Sequence, residues 1–84
     1  LGADLISVYP NPMQTSLSLQ PSRAGLTILQ AELYHLDGRR AGVWLSQDQP
    51  QRQHLDTRAL APGVYLLRVE TSQGLMMQKV IKGN

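Results

Sequence analysis

The fold turns on Leu26-Thr27-Ile28-Leu29-Gln30-Ala31-Glu32-Leu33-Tyr34-His35-Leu36-Asp37-Gly38-Arg39. Leu26–Leu36 is the longest apolar-rich run in the chain, and two periodicities compete within it. Ala, Leu, Gln and Glu are good helix formers. In an extended chain, however, Leu29, Ala31 and Leu33 share one face while Gln30 and Glu32 take the other. The stop decides between the two. Asp37-Gly38 is a two-residue hairpin signal, because Gly and Asp tolerate positive φ. The run is therefore read as a strand that turns at Asp37-Gly38 and returns through Arg39–Ser46, which includes Val43 and Trp44.

Upstream of this hairpin, Leu5–Tyr9 is a short apolar run halted by Pro10-Asn11-Pro12. Ser16–Gln20 alternates polar and apolar as a half-buried strand does, and 21–25 (PSRAG) breaks the pattern. Downstream, Gln47–Gln53 is polar, contains Pro50 and reads as a loop. Gln53–Asp56 forms a brief strand that leads through Thr57–Ala61 to the turn dipeptide Pro62-Gly63. In Val64–Thr71, Tyr65, Leu67 and Val69 share one face, with Val64, Leu66, Arg68 and Glu70 on the other. Ser72-Gln73-Gly74 then turns the chain into Leu75–Lys82 as an antiparallel hairpin, and Gly83-Asn84 reads as a frayed end. Six or seven short strands without a long helix predict an all-β sandwich or barrel.

Eighty-four residues support one domain, expected over 1–84 with its core in 5–82. A chain this short buries only about 60–65% of its unfolded surface, so the core is thin. With no cysteine there is no disulfide staple and no thiolate metal site. No apolar stretch approaches the roughly 20 residues needed to span a bilayer. The first residues show no basic region followed by an apolar run, so no signal peptide is read there. The formal charge is +2, its lysines confined to Lys79 and Lys82 and its arginines dispersed. This charge is too sparse for a nucleic-acid footprint.

Catalysis finds little support. His35 lies late in a strand beside a turn and His54 at a loop-to-strand transition, without an H-x-x-x-H or paired-carboxylate partner. The serines lack a nucleophile elbow, the acidic residues are too separated for a calcium loop, and the glycines stand singly at turns. No enzyme, metal or cofactor is expected.

Three motifs carry more information. Pro10 fixes its own φ and Pro12 pushes Asn11 toward an extended backbone, giving a stiff segment with a free Asn side chain. It reads as a strand terminator or as a preformed recognition knuckle. Gly63-Val64-Tyr65-Leu66-Leu67-Arg68-Val69 is a turn glycine opening a core strand, anchored on one face by Tyr65. Lys79-Val80-Ile81-Lys82 either protects a last strand against edge pairing or docks it on a receptor sheet. Both faces of Leu75–Lys82 mix apolar and polar residues, so the pattern leaves open whether Val80 or Ile81 points inward.

Taken together, these motifs resemble the C-terminal sorting domain of the type IX secretion system of Bacteroidetes. The likeness spans Leu5 to Lys82. It opens on Val8-Tyr9-Pro10-Asn11-Pro12 and continues with Leu33-Tyr34-His35-Leu36-Asp37-Gly38-Arg39. The spaced set Leu55, Leu60, Gly63, Tyr65, Leu67 and Val69 follows, and Lys79-Val80-Ile81-Lys82 closes the pattern. His35 departs from it, as many members carry a small acidic or polar residue there, and lysine is sparse. The resemblance implies an immunoglobulin-like antiparallel β-sandwich of about seven strands at the C-terminus of a cargo protein. It implies a signal read in the periplasm by the outer-membrane translocon. The cargo then reaches the surface or the medium, where a sortase-like protease removes the domain or leaves it in place. The residues expected to face the translocon are Pro10, Asn11, Pro12, Gly38, Gly63, Tyr65, Lys79, Val80, Ile81 and Lys82. The rival reading is a structural or adhesive sandwich that contacts other proteins or a second copy of itself, through apolar positions on Val64–Thr71 and Leu75–Lys82.

Overall fold

The structure is a computed structural model that describes residues 6–22, 25–45 and 53–83. Leu5, Ser46, most of the expected 47–53 loop and Asn84 lie outside the described residues. The strands are β1 (Ile6–Tyr9), β2 (Ser16–Pro21), β3 (Ile28–His35), β4 (Arg40–Leu45), β5 (Gln53–Asp56), β6 (Gly63–Thr71) and β7 (Gly74–Lys82). They form two antiparallel sheets, one ordered β1-β2-β5 and the other β4-β3-β6-β7. The chain is thus all-β among the described residues. Its strands alternate between sheets in the immunoglobulin manner, β1, β2 and β5 in one layer facing β3, β6 and β7 in the other.

Period-2 alternation puts Leu17, Leu19 and Leu55 of the small sheet against Ala31, Leu33, Tyr65, Leu67, Val69 and Val80 of the large one, all buried. Each fully buried aliphatic side chain stabilises this thin core by about 1.5–3 kcal/mol. On β6 the expected inward face of Tyr65, Leu67 and Val69 is the observed one. On β7 the open question has an answer: Val80 is fully buried and Ile81 points out.

Two local expectations need correction. Leu29 does not share a face with Ala31 and Leu33. The β3–β6 register shifts between Ile28 and Gln30, so Ile28 turns inward and Leu29 stays 45% exposed. A bulge adds a residue, and every side chain before it changes face. The Asp37-Gly38 turn is also longer than two residues. The His35 N–H bonds the Arg39 carbonyl and the Gly38 N–H bonds the His35 carbonyl, leaving Leu36, Asp37 and Gly38 in the loop. Of these three loop residues only Gly38 has positive φ (96°), as in hairpins where a turn is followed by one left-handed residue. Asp37 accepts from both the Arg39 N–H and its guanidinium, and these bonds hold its pKa below the usual carboxylate value. The second hairpin is tight, with Thr71 opposite Gly74 and the Thr71 hydroxyl bonded to the Gly74 carbonyl.

One charge is buried on the outer face of the large sheet. Glu32 accepts from Arg68 at 2.8 Å and Arg40 at 3.4 Å. Burial pushes its pKa up, but hydrogen bonds from Tyr34, Arg68 and Arg40 outweigh this and hold it below 4.5.

Candidate functional site

Strand pairing gathers the expected site residues at one end of the sandwich. β3 ends at His35, which pairs with Tyr65, and Tyr65 pairs with Val80. β6 opens at Gly63 opposite Lys82. Gly38, Gly63, Tyr65 and the end of β7 therefore share one rim. Pro10-Asn11-Pro12 reaches the same rim, because β1 halts at Tyr9 and the chain crosses from the small sheet to the edge of the large one. The peptide bonds before Pro10 and Pro12 are both cis.

At that rim the N-terminal segment is clasped to the terminal strand. Asn11 Oδ1 accepts from the Ile81 N–H at 2.9 Å, across 70 positions of sequence. The Met13 N–H donates to the Ile81 carbonyl at 2.7 Å, and the Gly83 N–H donates to the Met13 carbonyl at 2.8 Å. Met13 thus makes a parallel bridge with Lys82 while its side chain is fully buried. Asn11 is not free, as the sequence suggested; its carbonyl end substitutes for a strand neighbour. Gly83 is not frayed either, being tied to Met13.

Other motif residues are likewise bound internally. Tyr65 is 2% exposed, and its hydroxyl donates to the Ala61 carbonyl at 2.6 Å. A tyrosine bonded back across the corner that feeds its strand is a fastening found in immunoglobulin-type sandwiches. The His35 ring packs against Tyr65 with centroids 5.2 Å apart. Gly63 has φ 152°, a conformation that side chains disfavour, and a Cβ there would meet nothing; its requirement lies in the backbone. Lys82 is buried, and its Nζ donates to the Leu60 carbonyl at 3.0 Å. That bond ties the end of β7 to the segment that feeds β6.

Exposed residues surround this fastening. Pro10, Asn11 and Pro12 lie on the surface, as do Lys79 and Ile81 on β7, with Val64 opposite Ile81 on β6. The rim combines a stiff polar knuckle, the outward Lys79 and an apolar pair. Sequence reasoning missed Met13 and the carbonyls of Leu60 and Ala61. A lone apolar residue between Pro12 and the polar Gln14-Thr15 was the one available sign that Met13 is an anchor.

Of the two histidines, His35 packs on Tyr65 at the rim and His54 sits on β5 of the small sheet. His54 Nδ1 lies 2.8 Å from the buried Ser18 hydroxyl, beside a shallow depression lined by Thr15, Ser16, Leu55, Asp56 and Arg58. The Asp56 carboxylate is occupied by the Arg58 side chain and N–H, which lower its pKa to about 2. Among the described residues no three or more His, Cys, Asp or Glu come together to hold a metal, and no helix is long and apolar enough to cross a membrane.

No curated protein matches the chain significantly. A family model does: the secretion-system C-terminal sorting domain matches residues 7–83, which include all of the motifs and both sides of the clasp. That family is one of sorting signals and not of enzymes, and its members are attached to cargo and interact with type IX secretion machinery. The chain belongs to the type IX secretion C-terminal sorting domain family.

Proposed function

We propose that the folded domain is presented in the periplasm to an outer-membrane translocon component through the clasped rim. Lys79 and Ile81 make contact there beside Pro10-Asn11-Pro12 and the turns at Gly38 and Gly63. Buried Tyr65, Val80 and Lys82 serve the same recognition indirectly, by fixing the strand that carries Lys79 and Ile81. The observation that carries this reading is the convergence of four separated motifs on one rim, where their polar atoms bind one another and hold the end of β7. A pre-ordered strand end loses little entropy on docking. After passage, a sortase-like protease at the surface removes the domain from its cargo, or the domain is retained there; the domain supplies the address and no chemistry of its own.

The test is export of a reporter fused upstream of the domain. Removing Val80–Asn84 traps the reporter in the periplasm, but that deletion also takes a core residue. The sharper variant combines Lys79→Glu with Ile81→Asp, both on exposed side chains. With the fold verified by circular dichroism, this variant blocks export. Normal export of the folded double variant would refute the rim as the surface that is read.

A further inference from the structure

Among the described residues, the outer edge of β7 is closed at its end and open before it. Ile81 directs both its N–H and its carbonyl outward, to Asn11 and Met13. β7 pairs with β6 without a register shift, so strand alternation puts the N–H and C=O groups of Leu75, Met77 and Lys79 on the same outer edge. Among the described residues no strand or loop pairs with these groups. Leu75 and Met77 are 52% and 49% exposed, and Lys79 is the one cation guarding the stretch. Natural sheets usually blunt an open edge more strongly than this.

We propose that this edge pairs antiparallel with the same edge of a second copy of the chain, about a two-fold axis at Met77, merging two four-stranded sheets into one. The clasp sets the register. Met13 occupies the edge at Ile81, and the Ser72-Gln73 turn ends the strand on the other side, so the free window runs from Leu75 to Lys79 with Met77 at its centre. Two identical windows related by a two-fold place Met77 opposite Met77 and Leu75 opposite Lys79, with no like charges facing. On the outer face Leu75 is flanked by Glu70 of β6. Lys79 of each copy therefore extends over Leu75 of the other toward its Glu70. Among the described residues neither Lys79 nor Glu70 has an ion-pair partner within one chain. An unrelated strand would gain the backbone bonds without this doubled charge match, which is why the occupant is a second copy.

The contact is small: about six backbone hydrogen bonds and two ion pairs across a narrow strip, at the low end of interface sizes. A dissociation constant in the micromolar-to-millimolar range follows. The pairing concerns the edge of β7 and is independent of the export reading; its readout is mass, not secretion.

Sedimentation equilibrium of the chain from about 10 μM to about 1 mM tests it, and the expected result is a concentration-dependent rise to twice the chain mass. Met77→Lys sets two cations face to face on the axis from an exposed position clear of the core. The new lysine also lies opposite Arg68 of β6, so the fold of the variant is checked by circular dichroism; with the fold intact, self-association weakens about tenfold or more. Lys79→Glu weakens it too, and combining it with Glu70→Lys restores it by exchanging the two charges. A chain that stays monomeric at about 1 mM overturns the proposal. So does a dimer that neither Met77→Lys nor the charge exchange affects.

Discussion

β7 carries two outer edges in one strand. From Val80 to its end it is fastened by Asn11 and Met13; from Leu75 to Lys79 its outward backbone groups meet no partner among the described residues. The inner face is similar in both halves, with Met76, Val80 and Lys82 all buried. The difference therefore lies in the segment that crosses over from β1. It teaches that the Pro-Asn-Pro motif and the terminal motif are two sides of one joint. A joint of this kind explains why residues so far apart in sequence appear together in one family pattern: each is needed to hold the other.

The largest test of that contrast compares two methionines. Met13 is buried beneath the clasp and Met77 stands on the open half. Met13→Ala lowers the free energy of unfolding by about 2–5 kcal/mol, the range for emptying a buried site. Met77→Ala changes it by less than about 0.5 kcal/mol. Urea titrations measure both, and similar losses would break the comparison. Tyr65→Phe comes next. It deletes the bond to the Ala61 carbonyl at the same rim and costs about 1–2 kcal/mol with the ring packing intact.

Asn11→Ala follows at about 0.5–1.5 kcal/mol, since the Ile81 N–H it abandons lies at an exposed position and water can replace the acceptor. Because the joint positions the strand end, this variant reduces export of a fused reporter more than its stability loss alone would. Equal export from Asn11→Ala and wild type would sharpen the account by confining Asn11 to stability. The smallest effect belongs to a control away from β7. Arg58 lowers the Asp56 pKa from 3.8 to about 2, so the pair contributes stability above the unfolded value and loses it as pH falls through about 2. Asp56→Asn flattens the acid limb of stability between those values and leaves both halves of β7 unchanged, as acid titration of the two proteins will register.

The strand plan was legible because alternation and turn chemistry are local. Gln53–Asp56 appears with the bounds read from sequence, and Tyr65, Leu67 and Val69 face inward as their spacing required. The direction of Leu29 was not legible, because the bulge that turns it outward is a property of the β3–β6 pair. The Asp37-Gly38 hairpin was placed correctly but one residue short, since Asp-Gly is compatible with either loop and the flanking register selects one. At the rim, motif positions were readable and their bonding was not. Asn11 looked free, and Lys82 looked like a surface cation, because the groups they bind lie 70 and 22 positions away, one on β7 and the other in the segment between β5 and β6. Sequence alternation also left Val80 and Ile81 ambiguous until pairing with β6 put Val80 opposite Tyr65.

Amide exchange along β7, read residue by residue by NMR at a concentration where the chain is monomeric, addresses the joint most directly. The Ile81 and Gly83 amides, bound to Asn11 and Met13, exchange at least about tenfold more slowly than those of Leu75, Met77 and Lys79 on the same edge. Exchange at Ile81 and Gly83 as fast as at Met77 would mean that the clasp is not closed in solution, and that the motifs do not hold the terminal strand.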